Sequence, residues 1–117
     1  MPAPFAWLAP WSPVEDEGIA AALVRQLAVE LSERHRLYGK SVRLLARRND
    51  TDDALFALSD GAVAEVHMTW RKSAEPDPRW PQTAIFASLD DWATHSMAPL
   101  HAELSAACGF GDETSET

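Results

Sequence analysis

The stretch Val42–Trp70 constrains this chain more than any other. It reads as three consecutive β-strands, Val42–Arg48, Asp53–Ser59 and Ala62–Trp70. Asn49-Asp50-Thr51-Asp52 forms the first connection, and Asp60-Gly61 the second, a two-residue hairpin signal. Cross-strand partners share one face of a sheet, so turns of fixed length determine both faces. In this register Ser59 opposes Ala62, Ala57 opposes Ala64 and Leu55 opposes Val66, while Ala46 opposes Leu55 and Leu44 opposes Ala57. One face is then Val42, Leu44, Ala46, Leu55, Ala57, Ala62, Ala64, Val66, Met68 and Trp70. It is apolar throughout, and its small central residues admit a helix at close range. The other face mixes apolar side chains with charge: Arg43, Leu58 and Val63, then Leu45, Phe56 and Glu65, then Arg47, Ala54 and His67.

Helices flank this meander. Ser12-Pro13-Val14-Glu15 has the form of a capping box with proline at the first helical position. Gly18 is a competing delay to the start. Ala20, Leu23, Val24, Leu27, Ala28 and Leu31 follow at helical spacing. Arg34, His35 and Arg36 suit the last turn, with Gly39 as the stop. Downstream, Thr83–Ala87 reads as a fourth strand. Ser88 caps a second helix carrying Leu89, Trp92, Ser96, Met97, Leu100, Leu104 and Cys108, which Pro99 kinks or splits and Gly109 ends. The expectation is an α+β fold of order α-β-β-β-β-α, a four-stranded antiparallel sheet with its helices packed on one face. At 117 residues it is one domain, 1–117, with an apolar head over 1–11 and a flexible acidic tail over 110–117.

Composition narrows the function classes. One cysteine, Cys108, excludes an intramolecular disulfide, and a reducing cytoplasm is the expected setting. The start of the chain lacks a basic segment and is broken by prolines, unlike a signal peptide. No apolar run approaches the ~18 residues of a membrane span. Formal net charge is -8, but residues 25–48 carry seven cations against Glu30 and Glu33. An acidic chain disfavours nucleic acid, whose binding rests on phosphate neutralisation. The basic stretch argues only weakly the other way.

No catalytic motif stands out. His67 with Glu65 and Arg47 has the makings of an acid–base cluster, yet a nucleophile and an oxyanion donor are missing. A solvated cross-strand charge set is the more economical reading. His35, His67, His95, His101 and Cys108 contain no helical zinc pair, so no metal is expected. The glycines form no phosphate loop, so no cofactor is expected either. Asp50, Asp52 and Asp53 are explained by the turn, with Asp53 opposite Arg48 as a cross-strand pair. Of the five tryptophans, Trp80 beside Arg79 in the proline-rich loop has the character of a binding hot spot.

The strings Leu37-Tyr38-Gly39, Ala46-Arg47-Arg48-Asn49-Asp50, Asp60–Trp70 and Pro78-Arg79-Trp80-Pro81 resemble a family of small bacterial proteins with no assigned activity. The resemblance spans most of residues 37–97 and carries no catalytic residues with it. In size, acidity and α+β build the chain is also similar, at the level of class, to immunity proteins of bacterial toxin systems. These features together lead to a non-catalytic protein-binding module, immunity- or antitoxin-like, without cofactor. Its partner is another protein or a second copy of the chain. The expected binding residues are Arg43, Leu45, Arg47, Phe56, Glu65 and His67 on the second sheet face, with Arg79 and Trp80 in the loop. The Trp7–Trp11 head is the alternative occupant of that face. A small enzyme or ligand-binding domain using His67 and Glu65 is the competing reading.

Overall fold

The structure, a computed structural model, describes residues 5–107. The head segment is the first departure from expectation. Trp11–Pro13 is a strand, β1, and the first helix, α1, spans Glu17–Glu30. Asp16, rather than Ser12, is the N-cap, its side chain accepting from the Ile19 amide at 3.0 Å. The capping-box pattern at Ser12 is therefore coincidental. The four strands that follow are β2 (Val42–Arg48), β3 (Asp53–Leu58), β4 (Val63–His67) and β5 (Thr83–Phe86). They form one five-stranded antiparallel sheet in the order β1-β2-β3-β4-β5. The expected four-stranded sheet and its order α-β-β-β-β-α are thus corrected by the added N-terminal strand.

The register differs from the sequence reading by two local insertions. Leu58 N–H donates to Ala62 O and Gly61 N–H to Leu58 O, so the second hairpin loop is Ser59-Asp60-Gly61, with Gly61 at φ +93°. This is the three-residue turn in which a glycine takes the left-handed position. Ala57 therefore opposes Val63 rather than Ala64. On the other side Ala46 does oppose Leu55, but the pairing shifts between Leu44 and Ala46, and Leu44 opposes Phe56. A bulge supplies one extra residue there. Together the two insertions turn β3 over relative to expectation.

The inversion is tolerated because β3 has no polar face in its middle. Ala54, Leu55 and Phe56 are all essentially inaccessible. A strand buried on both faces reads as a continuous apolar run, and its alternation says nothing about sidedness. The helices consequently lie on opposite faces, not on one. On one side Leu23, Leu27 and Leu31 pack on Leu44, Ala54, Phe56, Ala64, Val66 and Met68. On the other, Trp92 and Met97 pack with Trp11 on Ala46, Leu55 and Val63. The result is a sandwich of helix, sheet and helix.

The second layer is a helix run of α2 (Leu89–Trp92), a π-helical turn (Ala93–Met97) and α3 (Ala98–Ala107), which continue into one another. Ser88 caps its start by accepting from the Asp91 amide at 3.0 Å, as its sequence indicates. Pro99 neither splits nor stops it. Its ring would collide with the carbonyl four residues back, and the wider π turn immediately before it relieves that conflict. The Ala98 amide there bonds to Ala93 O. The expected stripe residue Cys108, the stop at Gly109 and the acidic tail lie outside the described residues.

The aromatic head completes this layer. Trp11 meets Trp92 edge-on at 5.1 Å, Trp7 lies 5.8 Å from Trp92, and Phe5 lies 4.6 Å from Trp7. Trp92 is fully buried, which contributes about 2–3 kcal/mol of transfer free energy. The second sheet face is therefore covered by the C-terminal helix and the head together. No described helix is long and apolar enough to cross a membrane.

Candidate functional site

The corrected register brings new groups together. Asp53 opens β3 and His67 closes β4, and the two are cross-strand partners on one face. His67 Nδ1 lies 2.9 Å from Asp53 Oδ1. A carboxylate only accepts, so Nδ1 carries the hydrogen and Nε2 is left as the outward nitrogen. The other Asp53 oxygen accepts from Thr51 Oγ1 at 2.7 Å and lies 3.5 Å from Arg48 Nη1. Arg48 also grips Asp50 through Nε and Nη2, at 2.9 and 2.7 Å. That paired grip raises the Arg48 pKa and lowers that of Asp50. The Arg48–Asp53 pair expected across the first turn is present.

Two residues before His67, on the same face, Glu65 is half-buried. Its Oε1 accepts from Trp92 Nε1 at 2.8 Å and from Ser96 Oγ at 2.6 Å. Trp92 and Ser96 stand four residues apart, so both point to the same side of the helix and converge on one oxygen. Glu65 thus ties the C-terminal helix to the sheet, while its Oε2 has no protein donor among the described residues. Beyond it β5 and the proline-rich loop form the far wall. Asp53, Glu65, His67, Arg79, Gln82, Thr83 and Ala84 line a cleft of about 410 Å³. His67, Arg79, Gln82 and Ala84 are exposed, so the cleft is open to solvent.

Arg79 reaches the cleft already occupied. Its Nη2 lies 2.7 Å and its Nε 3.1 Å from the Asp77 carboxylate, and its backbone amide donates to the same group. Hydrogen bonding from the Arg79 side chain, then from its amide, holds the Asp77 pKa down at about 2. The Arg79 pKa is raised by the same pairing.

Of the eight residues expected to bind, Glu65, His67 and Arg79 meet here, with Trp80 partly exposed next to Arg79. The other four do not. Phe56 is fully buried beneath α1 and is a core residue, not a surface one. Arg47 pairs with Ala54 and Ser12, on the α1 side of the sheet. Leu45 sits at the bulge, half-buried against the second core. Arg43 is exposed on β2 and lines a separate groove with Val14 and Val24 beside α1. Sequence reasoning missed Asp53 as a partner of His67, because one residue of register separates them. The shape of the three-residue loop was the signal: glycine at its third position also fits Asp60-Gly61.

The site offers hydrogen-bond acceptors and one oriented imidazole. Thr83, whose hydroxyl donates to Pro81 O at 3.0 Å, is the only hydroxyl side chain among the lining residues. No group of three or more His, Cys, Asp or Glu side chains among the described residues is arranged to hold a metal ion. Comparison with protein families, with curated proteins and with solved structures finds no match.

Proposed function

We propose that this protein is a non-catalytic binding module that receives a basic segment of a partner protein in the Asp53–Glu65–His67 cleft. The observation that carries the reading is Glu65. Its Oε1 accepts from both Trp92 and Ser96, which fix the carboxylate, while Oε2 has no described protein donor and the residue lines the cleft. A rigid acceptor of this kind suits the ammonium or guanidinium of a lysine or arginine. Net charge of -8 favours the approach of such a partner. A basic toxin belongs to the class that fits.

The test compares what full-length protein and its Glu65→Gln and His67→Ala variants retain from native cells. A stoichiometric basic protein held by the wild type and lost by both variants supports the reading. The same protein held equally by all three refutes the assignment to this cleft.

A second reading has its own observation. The 2.9 Å contact to Asp53 orients His67 as a general base is oriented in hydrolases. Turnover of an activated ester by the wild type, lost in His67→Ala and in Asp53→Asn, favours it. Equal turnover by all three removes it.

A further inference from the structure

A second cavity of about 330 Å³ shares Arg79 and Thr83 with this cleft and is lined further by Arg34, His35, Arg36 and Pro78. Three arginines around one small opening are unusual in a chain of net charge -8. Asp77 is chelated by Arg79, and Glu33 and Glu75 lie with Arg34 around the adjoining groove, so among the residues lining the cavity itself the uncompensated cations are Arg34 and Arg36. Arg34 also contributes to lowering the Asp77 pKa, after the larger effects of Arg79. Its charge therefore reaches this corner. Opposite charges elsewhere on the surface are damped beyond roughly 8–10 Å by salt, so the local excess decides what this cavity attracts.

The arginines rest on a fixed frame. His35 lies between Arg34 and Arg36 and is buried, 5% exposed. Its Nδ1 accepts from the Leu37 amide at 3.0 Å, which places the hydrogen on Nε2, and that nitrogen lies 2.9 Å from Pro81 O. The ring thus joins the 32–38 turn, bearing Arg34 and Arg36, to the loop bearing Arg79. Two further amide bonds, His35 N–H to Ser32 O and Tyr38 N–H to His35 O, hold the turn itself. Arg36 Nη1 bonds Thr83 O at 3.3 Å, which aims its guanidinium across the opening. Arg79 uses Nε and Nη2 on Asp77, leaving Nη1 without a described partner. Arg34 forms no ion pair among the described residues, its charge acting on Asp77 at longer range.

We infer that this cavity binds a dianionic oxyanion of phosphate size, as the free ion or as the phosphoryl group of a small molecule. Arg34 offers a whole guanidinium fork, Arg36 the nitrogens not held by Thr83 O and Arg79 its Nη1, and donors spread around the opening match tetrahedral oxygens better than the two of a carboxylate. The inference does not depend on the partner-binding reading, since it uses neither Glu65 nor His67.

The test is titration of inorganic phosphate, glycerol phosphate and acetate into the full chain at about 0.15 M ionic strength, where the rest of the surface is damped, followed by amide chemical shifts. Phosphate is expected to move the resonances of residues 33–37 and 77–83 with a Kd of about 1 mM, corresponding to a modest set of exposed contacts. Arg34→Ala and Arg36→Ala are each expected to weaken it about tenfold. Arg25→Ala and Arg43→Ala, which remove arginines outside the cavity, are expected to leave it unchanged. Saturation by glycerol phosphate assigns the phosphoryl group of a larger ligand, and binding of phosphate alone assigns the free ion. Circular dichroism of each variant establishes that it is folded, and Arg79→Ala serves as a third cavity variant should one fail. Absence of phosphate-induced shifts, equal binding of acetate, or equal weakening by the Arg25 and Arg43 variants overturns the inference.

Discussion

Glu30 is the buried acid on which the loop after β4 hangs, and its removal gives a worked prediction. It ends α1 and is fully inaccessible. Its Oε1 accepts from the Thr69 amide at 2.9 Å and the Thr69 hydroxyl at 3.0 Å. Its Oε2 accepts from the Trp70 amide at 2.9 Å and Gln26 Nε2 at 2.7 Å. Trp70 stands at φ +61°, a left-handed conformation that costs a bulky side chain on the order of 1–3 kcal/mol. The two successive amides form a concave donor pair, and Glu30 is the internal anion that fills it. Glu30→Ala strands both amides, each at about 1–3 kcal/mol. The expected loss is about 3–5 kcal/mol, against a typical total of roughly 5–15. Glu30→Gln keeps one acceptor oxygen and turns an NH2 on the other amide, for a loss of about 2 kcal/mol. Urea unfolding measures both, with an unchanged slope expected. Hydrogen exchange at Thr69 and Trp70 is expected to accelerate before global unfolding. A loss below about 1 kcal/mol for Glu30→Ala refutes the reasoning, because the amides would then need no anion.

Other consequences follow from the same structure. Phe56→Ala is expected to destabilise the fold by about 3–5 kcal/mol, read as a lowered urea midpoint, because the ring lies in the core beneath α1. Glu65→Ala strands the Trp92 indole N–H, so faster amide exchange is expected through Trp92–Ser96, with a loss of about 1–3 kcal/mol. The folded-state pKa of Asp77 is depressed from the ordinary 3.8 to about 2, so its pairing with Arg79 is fully present above pH 3.8 and is lost as pH falls through about 2. NMR titration is expected to place its midpoint near 2, rising toward the ordinary value in Arg79→Ala. An unchanged midpoint in that variant contradicts the pairing.

Part of this architecture is legible in the amino-acid sequence, and the parts that are not have physical reasons. The stripe Leu23, Leu27 and Leu31 and the Ser88 cap follow from periodicity and capping chemistry, and they hold. β3 defeats the sidedness argument because Ala54, Leu55 and Phe56 are apolar in both directions, so nothing in the strand penalises a one-residue slip. β1 hides in a segment where Ser12-Pro13 imitates a helix start. Glu30 left no trace, because the expected helix runs on through Arg34, His35 and Arg36 to Gly39, whereas α1 ends at Glu30 and the three form a separate turn. His35 left none, since a histidine between two arginines reads as surface until the loop carbonyl it meets is known.

The most direct measurement of the central account is the comparison of partners retained by wild type, by Glu65→Gln and by Arg43→Ala, whose site lies outside the cleft. One stoichiometric basic protein is expected on the wild type and Arg43→Ala, and none on Glu65→Gln with its fold intact. Retention by Glu65→Gln, or no such protein on the wild type, contradicts it.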